Sequence, residues 1–154
     1  MKLYFQNKTK LKFKPEIFKN LAASVFKKLH ISDKIELGLI LTDNREIKKL
    51  NQKYRGINKP TDVLSFPIDT AKKETDEYLI LGDIVISTEM AEKENEKIAE
   101  LFKHGLLHLL GFDHEKNKKE WQEAELKIDN CPDAPPKARM RDPDIRQGRI
   151  VGNN

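Results

Sequence analysis

The stretch HGLLHLLGFDH, residues 104–114, constrains this chain more than any other. Ile98, Leu101, Phe102, Gly105 and Leu109 recur at helical spacing, so a helix packs its apolar stripe there. His104 and His108 fall four residues apart on one flank of that stripe. Such a pair has its Cβ atoms about 5–6 Å apart on one helix face. Gly111 follows three residues later, and glycine takes the left-handed conformation that ends a helix without steric penalty. The chain can therefore reverse and return His114 toward the first two histidines. Two imidazoles one turn apart and a third across a turn can converge on a single ion. Three protein ligands leave a position open, as in a catalytic rather than a structural zinc site.

The rest of the chain indicates what this helix packs against. LYFQN and the following KLKF alternate weakly and predict an edge strand, given its lysines. Pro15 opens a helix over Glu16–His30, with Ile17, Leu21, Val25 and Leu29 as its stripe and Phe18 and Ala22 beside them. Ile35, Leu37, Leu39 and Leu41 repeat every second residue and predict a strand. Asp43 or Asn44 can cap a short helix bearing Ile47, Leu50 and Tyr54, which stops near Gly56. VLSFPI reads as a strand, Asp69–Glu77 as a charged linker, and LILGDIVIS as a central strand of near-continuous apolar character. Ser87 or Thr88 then caps a helix that the pattern carries without a break to Leu110. A final helix covers roughly Lys119–Ile128. The order β-α-β-α-β-β-α-α predicts a single α+β (mixed α/β) domain over residues 1–130. Helices pack on a mixed sheet of about four strands, and a metal site lies at the C-terminal end of a long central helix. Residues 131–154 carry four of the seven prolines and no apolar period, and read as an irregular or mobile tail.

Composition removes several function classes. No run reaches the roughly 18–20 apolar residues of a membrane helix, and the first residues lack the apolar core of a secretory signal. The one cysteine, Cys131, excludes an intrachain disulfide framework. A soluble cytoplasmic protein with no membrane partner is expected. The net charge of +4 is uneven: residues 1–36 carry +6, residues 37–130 carry −4 and residues 131–154 carry +2. A basic end on a near-neutral body suits approach to nucleic acid.

The histidine spacing, with Gly111, matches the long zincin motif. It departs where a protease carries its general base, because Gly105 stands in place of that glutamate. Asp113 reads as a residue that orients a ligand ring or shapes the turn. Thr61 and Asp62 read as turn formers, Ser65 and Phe66 as strand residues, and Lys103 as part of a solvated helix face.

On these residues the sequence resembles the YbeY family, bacterial endoribonucleases of ribosomal RNA maturation. HGLLHLLGFDH resembles that family's metal-binding motif. NQKYRGINKPTDVLSFP and LGDIVIS resemble two more of its blocks, in the same order, over about Asn51–His114. The segment after Asn130 departs from the family's helical end. The resemblance implies His104, His108 and His114 as ligands of one zinc ion, with nickel as an alternative. It implies Arg55 and His104 as catalytic residues, Arg55 clamping a phosphate. It further implies single-stranded RNA as substrate, ribosomal RNA and ribosome components as partners, and a role in ribosome quality control. A zinc-dependent peptidase and a non-catalytic RNA-binding assembly factor remain competing readings, Gly105 arguing against the first.

Overall fold

The computed structural model describes residues 1–68, 78–129 and 150–151. In chain order the elements are β1 (Lys2–Asn7), α1 (Pro15–Lys28), β2 (Ile35–Thr42), α2 (Asn44–Arg55), β3 (Val63–Pro67), β4 (Leu79–Ser87), α3 (Thr88–Lys93), α4 (Ile98–Leu109), α5 (Lys118–Asp129) and β5 (Ile150–Val151). The sheet order is β1-β2-β4-β3-β5. β1 and β4 run parallel to β2, β3 runs antiparallel to β4, and β5 runs parallel to β3. The fold is α+β, as expected. The lysine-bearing β1 is an edge strand and the apolar β4 is central.

Strand alternation separates two faces. Leu37, Leu39, Leu41, Val63, Ile84 and Ile86 point to one side and form the main core with α1, α4 and α5. Leu64 and Val85 point to the other, where Ile47 of α2 covers them. A residue's parity along its strand thus decides which helix it meets. Asp43 caps α2 by accepting from the Glu46 N–H, and Ser87 caps α3 by accepting from that of Met90.

Three expectations need correction. The helix expected to run unbroken to Leu110 is two helices, α3 and α4. Asn95 takes φ +53 between them, donating to the Glu92 carbonyl while Glu96 donates to that of Ala91. That pair of bonds is a Schellman ending, and asparagine tolerates its left-handed residue. Apolar periodicity continues across the break, which is why it hides the turn. The four expected strands form the sheet, and Ile150–Val151 adds a two-residue fifth by pairing with Leu64–Ser65. Backbone pairing needs no apolar period, so nothing in that segment's pattern marks it. Ile17 is 54% exposed, and the buried face of α1 is formed by Phe18, Leu21, Ala22, Val25 and Phe26. Lys103 is buried rather than solvated, 2.9 Å from a Glu100 carboxylate oxygen and 3.7 Å from one of Asp129. The linker Asp69–Glu77 and Cys131 lie outside the described residues.

Candidate metal centre

The site is built from α4, its terminal turn and α5. α4 places His104 and His108 on adjacent turns, both buried. Gly111, at φ +91, closes the helix by donating to the His108 carbonyl, and Phe112 donates to that of Leu107. This Schellman ending turns the chain back. Asp113 then shapes the next turn: its side chain accepts from the Glu115 N–H at 2.9 Å, and its carbonyl accepts from the Asn117 N–H. Of its two expected roles, turn formation is the one observed. Asn117 and Glu120 exchange side-chain and backbone bonds at the start of α5, a reciprocal cap that sets the direction of this helix.

That direction carries Trp121 and Glu125, one turn apart, into the histidines. The Trp121 ring lies 5.8 Å from that of His104, 4.8 Å from His108 and 5.2 Å from His114, centroid to centroid. His108 and His114 are 5.5 Å apart. The three predicted ligands therefore gather around one indole. A Glu125 carboxylate oxygen lies 3.0 Å from His104 Nε2. The sequence places both residues on its last helix and marks neither for the site. Their i, i+4 spacing on the last helix was a signal, but only the fold shows which helix they face.

Electrostatics keep the site ready for a cation. Burial pushes the His108 pKa down to about 4, and neighbouring His114 adds to this against the opposing pull of Asp113 and the Phe112 backbone. His108 is thus neutral at pH 7, the form that ligates. Both of its ring nitrogens are buried without a hydrogen bond of good geometry, as is Nδ1 of His114. Buried polar atoms left this way are costly unless something binds them. Neutral imidazole donors, unbonded nitrogens and a carboxylate behind one ring fit a borderline divalent metal. The three histidines do not form a set of ligand atoms within 4.8 Å of one another, so closing on one ion takes ring rotation. Among the described residues the set that meets that distance is Asp62, Glu94 and Glu96. Asp62 also holds the turn before β3 by accepting from the Val63 N–H, which agrees with its reading as a turn former.

Arg55 is exposed at the C-terminal end of α2. No hydrogen bond or ion pair among the described residues links it to the histidines. Gly105 sits where α4 crosses β4: a Cβ there would lie 2.8 Å from Ile84 Cγ2. The obstruction is a sheet side chain, and it accounts for a glycine in mid-helix.

A family model described as Endoribonuclease YbeY matches residues 4–130. Endoribonuclease YbeY of Persephonella marina is 49% identical over 98 residues, covering 58% of this chain and 63% of that protein. The Aquifex aeolicus protein of that name is 46% identical over 94 residues, 56% of this chain and 61% of its own. The Mesoplasma florum one is 38% identical over 131 residues, 77% of this chain and 78% of its own. The chain thus spans a little under two thirds of the first two of these relatives. A solution structure from Thermotoga maritima superposes with a TM-score of 0.51 at 25% identity, over 90% of this chain and 99% of that one. Since the match takes in β2 to α5 whole, with Arg55 and all three histidines, the chain belongs to the YbeY endoribonuclease family.

Proposed function

We propose that this protein is a metal-dependent endoribonuclease acting on single-stranded RNA, ribosomal RNA among its substrates, within the cytoplasm and in association with ribosome components. His104, His108 and His114 hold one zinc ion, with nickel as the alternative. The observation that carries this reading is the gathering of three imidazoles around Trp121, one with both ring nitrogens buried. It lies within the residues that the endoribonuclease model matches. The relatives' names support the reaction, and no helix among the described residues is long and apolar enough to cross a membrane.

A bound zinc ion supplies Lewis acidity at neutral pH. The chain supplies the rest. α4 fixes two ligand rings one turn apart, Gly111 returns the third, and Glu125 holds the His104 ring through Nε2. Trp121, itself 6% exposed, packs against all three rings and shields them from bulk water. Arg55 offers a guanidinium free of ion pairs among the described residues, which suits bidentate contact with a phosphodiester as charge builds at phosphorus. Gly105 leaves α4 without the carboxylate that a peptidase would carry.

The test is elemental analysis of gently purified protein, followed by RNA and peptide cleavage with and without chelator. Zinc near one per chain and RNA cleavage lost on chelation and restored by zinc are expected. Peptide cleavage alone would replace the reading with a peptidase. RNA binding without cleavage would replace it with an assembly factor.

A further inference from the structure

α2 presents a row of cations away from the sheet. Arg45, Lys48, Lys49, Gln52 and Lys53 follow the 3–4 spacing of one helix face, opposite the Ile47 side that packs on Leu64 and Val85. With Asn58 from the following loop they line a groove of about 410 Å³. The groove wall is fixed in place: buried Asn51 donates through Nδ2 to the Lys59 carbonyl at 2.8 Å and holds the loop against the helix.

The charge of this groove is uncompensated among the described residues. None of Arg45, Lys48, Lys49 and Lys53 forms an ion pair there. The one acid within α2, Glu46, is paired with Lys8 at 2.6 Å and bonded by the Thr42 hydroxyl, and acts on Lys49 only at longer range. Burying neither partner and neutralising none, the helix keeps four cations side by side despite their mutual repulsion. Successive turns set them about 5.4 Å apart, a separation on the scale of neighbouring phosphates in a strand. The Gln52 and Asn58 amides add hydrogen-bond donors between the charges. Tyr54, 43% exposed, follows Lys53, whose Nζ lies 5.2 Å from its ring centroid, and its ring packs against Phe66 at 5.1 Å.

We propose that the α2 groove is a phosphate-backbone site for single-stranded RNA, on the sheet face opposite the histidines. It rests on the endoribonuclease reading and adds to it a second contact surface, so that affinity depends on strand length beyond what the metal centre covers. A row of cations repeating at each helical turn, with the Gln52 and Asn58 amides between them, suits the regular charge spacing and the base edges of a nucleic acid strand better than an acidic peptide.

The experiment measures binding of a fluorescein-labelled single-stranded RNA of about 20 nucleotides by anisotropy across a salt series, with full-length protein. The variant Lys48→Glu/Lys49→Glu/Lys53→Glu is compared with the parent, each with metal and with chelator. If the charge reversal unfolds the protein, the triple glutamine variant takes its place. The expected result is at least a tenfold loss of affinity, and a salt dependence shallower by about 2 in the log–log slope, since each lost single-strand phosphate contact removes about 0.7. Metal content and melting temperature stay unchanged. Equal affinity and slope in parent and variant overturn the proposal. So does preferential binding of labelled poly-glutamate over RNA, lost in the variant. RNA cleavage by the parent is scored separately: a parent that binds RNA through this groove without cutting it refutes the ribonuclease reading and leaves the groove standing.

Discussion

Gly105 occupies the position after the first motif histidine and also the crossing point of α4 over Ile84. Glycine inside a helix costs about 1 kcal/mol against alanine, so the close approach accounts for its presence. Gly105→Glu drives a carboxylate into apolar packing and should destabilise the protein by roughly 3 kcal/mol or more, without creating a peptidase. Denaturant melts and peptide hydrolysis beside the parent check this; equal stability with new metal-dependent peptidase activity would overturn the ribonuclease reading. His108 predicts acid sensitivity of the metal-free protein. Its folded pKa of about 4 lies below the 6.5 of a free imidazole, so the unfolded chain takes up the proton first. Its contribution is fully present above about pH 6.5 and falls as pH drops toward 4, by on the order of 3 kcal/mol. Urea midpoints of chelator-treated protein at neutral and acid pH measure the loss, which His108→Phe should flatten. For Arg55, exposure at a helix end means that Arg55→Ala should leave fold and metal content intact. RNA cleavage should fall at least tenfold, with Lys rescuing poorly because it lacks the bidentate fork. Full cleavage by the alanine variant removes Arg55 from the site.

At the scale of elements, α5 emerges as the partner that shapes the centre. Trp121 and Glu125 reach the three imidazoles, and Asp129 reaches buried Lys103 of α4. Glu125→Ala should weaken zinc binding by about 10–100-fold, as losing a carboxylate behind a ligand histidine does elsewhere. Competition against a chromogenic chelator reads that directly. A Glu125→Ala variant with parental zinc affinity would show the 3.0 Å contact to be packing alone. Trp121 is the only tryptophan in the chain, so its fluorescence reports the centre without labelling. The α3–α4 junction follows a different rule: it depends on Asn95 tolerating φ +53. Neither the cap nor the turn is visible to a method that reads apolar period, because both flanking helices share one hydrophobic face.

Over the whole molecule, metal and stability are linked. Zinc that binds only the folded chain should raise stability by about 2.7 kcal/mol at one hundred times its dissociation constant. A thermal-shift titration of the parent should show that rise, and His104→Ala and His108→Ala should abolish it along with stoichiometric zinc. A full rise in either variant would dismiss the histidines as ligands and turn attention to Asp62, Glu94 and Glu96. His30 should have no part in zinc uptake, since it stands at φ +55 in the turn closing α1.

Local signals in the chain were enough for the element types, for the edge place of β1 and the central place of β4, and for the gathering of His104, His108 and His114. Each of these follows from short-range periodicity or from a turn glycine, which act within a few residues. Tertiary structure alone decided the rest. It broke α3 from α4 at Asn95, paired Ile150–Val151 with β3, buried Lys103 against α5, and brought Trp121 and Glu125 to the histidines. These depend on which elements meet across the fold. Meeting is settled by strand parity and helix crossing over tens of residues, a range at which no local pattern carries the information.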